Sequence, residues 1–179
     1  NSVYSLVISS AIFPIYYSQY VFSQTNSVEI LNLDINKDTL ISSVSAISFL
    51  LIAFLSPLLS GIADFIGNKK IFMKFFVYMG SLSCIGLYWF ELETIEISLL
   101  FYTLGLIGFW GSLVYYNSYL TDITYPNQTN KVSAKGYTMG YVGSVILLLI
   151  NLFMINYYET FGFESEIAAM KSSFAIVGI

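Results

Sequence analysis

Long apolar stretches separated by short polar ones dominate the chain. No charged side chain occurs between positions 3 and 20, or between 39 and 63. Apolar runs of about 20 residues match the hydrocarbon thickness of a bilayer. In hydrocarbon the backbone N–H and C=O groups must be satisfied within the segment, so such runs form helices. Six are predicted, at 3–22, 39–63, 71–90, 97–120, 133–157 and 167–179, the last shorter than a full span. The runs do not alternate with period two, which argues against a transmembrane barrel. The fold class is an all-α polytopic membrane protein.

The connections alternate in charge. The second carries Lys69, Lys70 and, one turn on, Lys74; the fourth carries Asp122, Lys131 and Lys135. The first holds Glu29, Asp34, Lys37 and Asp38. The third holds Glu91, Glu93 and Glu96, and the fifth Glu159, Glu164 and Glu166 with Lys171 just beyond. Lysine-rich loops stay on the cytoplasmic side. Loops two and four, and with them the N-terminus, are therefore expected inside. The sequon Asn127-Gln128-Thr129 then falls on a cytoplasmic loop, out of reach of glycosylation.

Small and polar residues fall on stripes. In the fourth span Gly105, Gly108, Ser112, Tyr115, Tyr119 and Asp122 recur at steps of three and four; in the fifth, Gly136, Gly140, Gly143, Ser144 and Asn151 share a face. Small residues mark where helices approach closely in lipid, so Gly105, Gly108, Gly136, Gly140 and Gly143 are read as packing positions. A buried polar side chain needs a partner or a wet cavity. Ser5, Ser9, Ser112, Tyr116, Asn117 and Asn151 are the candidates to line such a cavity. Pro14 is expected to kink the first span.

Composition narrows the chemistry. Of 179 residues 56% are hydrophobic and only 10% charged, against about a quarter in a soluble domain. The seven basic residues are all lysine and there is no histidine, which removes histidine metal sites and histidine acid–base chemistry. No metal site, cofactor, nucleophile–base pair or P-loop is visible, and neither an enzyme nor a nucleic-acid binder is expected. The lone Cys84 sits in an apolar run and reads as a small core residue. The chain begins without methionine or a cleavable leader and stops inside an apolar segment. It is read as a piece of a longer protein.

One short stretch goes beyond topology. In "SGIADFIGNKK", at 60–70, Asp64, Gly67, Lys69 and Lys70 follow an apolar run. This resembles the loop signature between helices two and three of the major facilitator superfamily, G-x-x-x-D-x-x-G-x-[RK]-[RK]. Ser60 stands where the signature has its leading glycine, and Gly61 comes one place late. "NSVYSLVISSAIFPIYY" is similar to the first helix of the vacuole-effluxer branch, with Asn1-Ser2 matching the end of its Asp-Trp-Ala-Asn-Ser opening. "YYNSYLTDI" at 115–123 and "VSAKGYTMGYVGS" at 132–144 resemble the same branch. No arginine occupies the fourth span, where many proton-coupled members carry one.

The resemblance implies twelve helices in two six-helix halves, each an inverted pair of three-helix repeats. The chain at 1–179 would be most of the N-terminal bundle, with the C-terminal half as its partner. It implies a secondary transporter of a small-molecule substrate by alternating access, in some members amino-acid efflux, with a coupling ion as a further partner. The setting is a lipid bilayer, expected to be a bacterial inner membrane. In this reading Asp64 accepts hydrogen bonds at another helix's start, Gly67 makes the turn, and Lys69 and Lys70 hold the loop at the cytoplasmic face as part of a gate. The alternative class is a polytopic subunit without transport, serving assembly or signalling, for which helix packing explains the glycines and topology the lysines.

Overall fold

The structure, a computed structural model, describes residues 3–30 and 33–179; Asn1-Ser2 lie outside the described residues. The first helix, α1, covers residues 4–21 and changes its winding along its length. Tyr4–Ile12 and Tyr16–Val21 are hydrogen-bonded in the wider π manner, and Phe13–Ile15 between them is α-helical. The change falls at Pro14, whose ring removes a backbone donor.

A small hairpin, β1 (Ser27–Ile30) and β2 (Leu33–Asn36), follows where the sequence suggested only a charged connection. It forms because Val28 stands opposite Ile35 and both pack on the core, while Glu29 and Asp34 face outward. α2 (Lys37–Ile66) begins where the Asn36 side chain accepts the Asp38 N–H at 2.9 Å. It ends at Gly67, which adopts the left-handed conformation (φ 71°) and donates its N–H to the Ala63 carbonyl. α3 (Lys69–Gly86) runs on through a 3₁₀ turn at Leu87–Trp89. α4 (Ile95–Ile123) and α5 (Thr129–Asn156) follow. α6 (Glu166–Gly178) starts at Ser165, whose hydroxyl accepts the Ala168 N–H. Among the described residues four helices are long and apolar enough to cross a membrane: α2, α3 with its 3₁₀ turn, α4 and α5.

The main core forms around α1. The Phe13 ring stacks on Tyr102 at 4.5 Å and meets Phe90 edge-on at 5.2 Å, with Phe174 beyond. Tyr16 and Tyr17 are buried, yet their hydroxyls are satisfied: Tyr16 donates to the Phe90 carbonyl (2.6 Å) and Tyr17 to the Lys37 carbonyl (2.8 Å). This fixes one end of α1 to two neighbouring connections.

α3 and α4 form an antiparallel seam. Gly108, Tyr115 and Asp122 each lie two turns on from the last and all face α3. Gly108 meets Gly80, the Tyr115 ring stacks on Phe72 and Phe76, and Asp122 reaches Lys69. A Cβ at Gly108 would fall 2.6 Å from the Gly80 nitrogen, so this crossing requires glycine. By contrast α2 and α5 leave broad apolar faces uncovered; Phe54 is 76% and Met139 74% exposed. Such faces are unfavourable in water but are satisfied by lipid or by further protein. With the four spans, they make this an integral membrane protein.

Candidate functional site

The charged residues at 60–70 form a three-helix ionic cluster. The turn at Gly67 sends the chain back on itself, so that Lys69 opens α3 beside the last turn of α2. Lys69 Nζ lies 3.1 Å from Asp64 Oδ1 and 3.1 Å from Asp122 Oδ2. The ammonium side chain is only 16% exposed, whereas Asp64 and Asp122 are 57% and 46% exposed. The cation is thus held between two acids that remain open to water.

Helix electrostatics explain why these three charges need one another. Asp64 and Asp122 lie in the last turns of α2 and α4, where the partial negative charge of a helix disfavours an acid. Lys69 is the first residue of α3, where the positive end disfavours a cation. Each charge is at the wrong end of its own helix, and their mutual pairing offsets that cost. Such a cluster loses compensation if α2, α3 and α4 separate at this end. Beneath it Ala63, Phe76 and Tyr115 form a small second core, in which the Tyr115 hydroxyl has no hydrogen-bond partner among the described residues.

The other residues of the signature are placed less tightly. Ser60 is half-buried; Gly61 is exposed, with no atom within 4 Å of where a Cβ would stand, and Lys70 is also exposed. Sequence reasoning gave Asp64 a helix N-terminus as partner, whereas the structure places the Lys69 ammonium against it. It also missed Asp122 as a member of the site. The signal was present, since Asp122 ends the polar stripe on α4.

The cavity candidates do not come together. A groove of about 380 Å³ runs between the start of α1 and α3, α4 and α5, lined by Val3, Met73, Val77, Leu113, Tyr116, Gly136 and Gly140. Tyr116 meets Tyr137 edge-on at 5.8 Å, and the Tyr137 hydroxyl donates to Asn117 Oδ1 at 3.2 Å beside the groove. Ser112 is fully buried and donates to the Phe109 carbonyl. Ser5 and Ser9 are half-buried on α1. Asn151 is fully buried; its amide donates to the Leu147 carbonyl, and its Oδ1 has no partner among the described residues.

The glycines divide likewise. Gly105 abuts the Tyr4 ring, Gly108 the α3 backbone, and Gly136 the Tyr116 hydroxyl. Gly143 has nothing within 4 Å of a Cβ position.

Residues 18–127, more than half of the chain, match the family model described as vacuole effluxer Atg22 like. The chain belongs to the vacuole effluxer Atg22-like family. It is also 37% identical over 155 residues to a protein of Bacillus subtilis (strain 168) described as an uncharacterized MFS-type transporter, YxiO. That similarity covers 87% of this chain but 35% of the relative, so the chain spans about a third of that protein's length. No solved structure matches. The stretch matched to the vacuole effluxer family contains Asp64, Lys69 and Asp122, and hence the whole ionic cluster; Gly136, Gly140 and Asn151 lie beyond it.

Proposed function

We propose that the full-length protein is a secondary active transporter working by alternating access. In this reading 1–179 belongs to its N-terminal six-helix bundle, two inverted three-helix repeats, and a C-terminal half completes the solute path. The protein is a carrier rather than an enzyme. Its solute is small, with amino acids leaving the compartment as the leading class. The lysine-bearing ends of α3 and α5 face the cytoplasm of a bacterial inner membrane.

The observation that carries the reading is the bridge from Lys69 to Asp64 and Asp122. Three helices meet there through charges that only their partners compensate, which suits a latch that is made on one side of a transport cycle and broken on the other. Family membership supports the same role.

The test is transport by an Asp64→Asn variant of the full-length protein in proteoliposomes, with the population of inward- and outward-open states followed in parallel. The substitution is expected to shift that population and to change the flux. Unchanged flux together with an unchanged population would remove the latch from the mechanism.

A further inference from the structure

A cavity of about 100 Å³ lies inside the bundle, between the start of α1, α3, α4 and the end of α6. Tyr4 borders it. The Tyr4 ring stacks on Phe109 at 5.7 Å, and the residue is only 6% exposed. Its hydroxyl nevertheless has no hydrogen-bond partner among the described residues. A phenylalanine at this position would keep the stack without burying a polar atom, and burying one unpaired is costly. The packing makes room for the hydroxyl all the same. A Cβ on Gly105, which also borders the cavity, would stand 2.9 Å from the Tyr4 oxygen.

The cavity offers what the hydroxyl lacks. Ser81 and Cys84, one turn apart on α3, are part of its lining. The Ser81 hydroxyl donates to the Gly178 carbonyl, which leaves its lone pairs free to accept. The Cys84 thiol is a weak donor and acceptor. Gly80 and Gly108 add backbone rather than side chain to the wall, and Val3, Val77 and Val177 make other parts of it apolar. A cavity lined by apolar groups alone stays dry, whereas a water needs two to four polar partners. Tyr4, Ser81 and Cys84 supply three. One water takes about 30 Å³ of the liquid, so the space holds up to about three.

We propose that this cavity is an internal hydration site, in which water bridges the Tyr4 hydroxyl on α1 to the Ser81 hydroxyl and Cys84 thiol on α3. The tyrosine is then satisfied through water, and the two helices are joined through it. The first helix is tied to its neighbours directly at Tyr16 and Tyr17 and by water at Tyr4.

Two measurements on the full-length protein test this. Tyr4→Phe removes the hydroxyl alone. Deleting an unpartnered buried hydroxyl stabilises, while deleting one bonded to water leaves that water's other contacts short of a partner. Tyr4→Phe is therefore expected to melt lower, by about 1–3 °C. The second measurement needs no substitution. Hydroxyl radicals made from water by a brief X-ray exposure mark side chains that touch bound water, buried ones included. Tyr17 is the reference, being 3% exposed with its hydroxyl held by the Lys37 carbonyl. Tyr4 is expected to be modified several-fold more than Tyr17. A Tyr4→Phe variant that melts at or above the parent would overturn the proposal, and so would modification of Tyr4 no greater than that of Tyr17. Should Tyr4→Phe not fold, the radical labelling of the unaltered protein still decides. Neither readout involves flux, so this site and the latch fail separately.

Discussion

Lys69 Nζ sits 3.1 Å from a carboxylate oxygen of Asp122, joining the first residue of α3 to the last turn of α4 across 53 positions of sequence. Because Asp64 binds the same ammonium, the two acids share one partner. Solvent screening leaves exposed ion pairs little net weight in stability, so Asp122→Asn is expected to leave the melting temperature nearly unchanged. Its effect should appear in the conformational equilibrium, in the same direction as that of Asp64→Asn. The double variant should add little, because both substitutions act through Lys69. Distance distributions across the Asp64 end of α2 and the Asp122 end of α4, measured by spin labels in the full-length protein, provide the check. Strictly additive shifts would mean that the two acids work independently.

The glycine crossing of α3 and α4 is asymmetric, and the asymmetry is measurable. A Cβ at Gly108 would lie 2.6 Å from the Gly80 nitrogen and 2.8 Å from the Phe76 carbonyl oxygen, both backbone atoms. Gly108→Ala must push the helices apart and is expected to cost about 1–3 kcal/mol. A Cβ at Gly80 meets its nearest atoms at 3.6 Å, an ordinary contact. Gly80→Ala should be neutral, or stabilising by up to about 1 kcal/mol through helix propensity. Thermal melts of the two variants in detergent decide, and equal losses would contradict the packing described here.

Asn151 has a buried amide of which, among the described residues, only the donor half is satisfied. Leucine has the same branch at Cγ and no polar atoms. Removing an unpartnered buried acceptor is expected to stabilise by about 1–3 kcal/mol. Asn151→Leu should therefore melt higher with flux retained. A variant that is well folded but no longer transports would instead place the Asn151 amide in the path of the solute.

The membrane-crossing class could be read from the sequence because lipid imposes one strong rule: charge-free runs of spanning length. The ionic cluster was half legible. Asp64 and Lys69 lie five residues apart, within a single turn motif, and could be found together. Asp122 joins them only through the packing of α4 on α3, which a local pattern does not encode. The α4 stripe held the clue, since Gly108, Tyr115 and Asp122 all face α3, but a stripe does not name the helix it faces. The hairpin at Ser27–Ile30 and Leu33–Asn36 was missed because its strands are too short to establish a period of two among so many charges. The uncovered faces of α2 and α5 were invisible for another reason. Apolar residues toward lipid and apolar residues toward protein are the same letters.

The Tyr17–Lys37 hydrogen bond has a practical consequence. Together with the bond from the Lys37 N–H to the Asn26 carbonyl, it ties off the hairpin at its neck. The stretch between these anchors rests on the core through Val28, Ile30 and Ile35, and its ends are held at fixed separation, so its solvent-facing side can carry an insertion. An epitope or fluorescent tag spliced there would hang from the bundle without pulling on α1 or α2, and so would report which side of the membrane this end of the molecule faces.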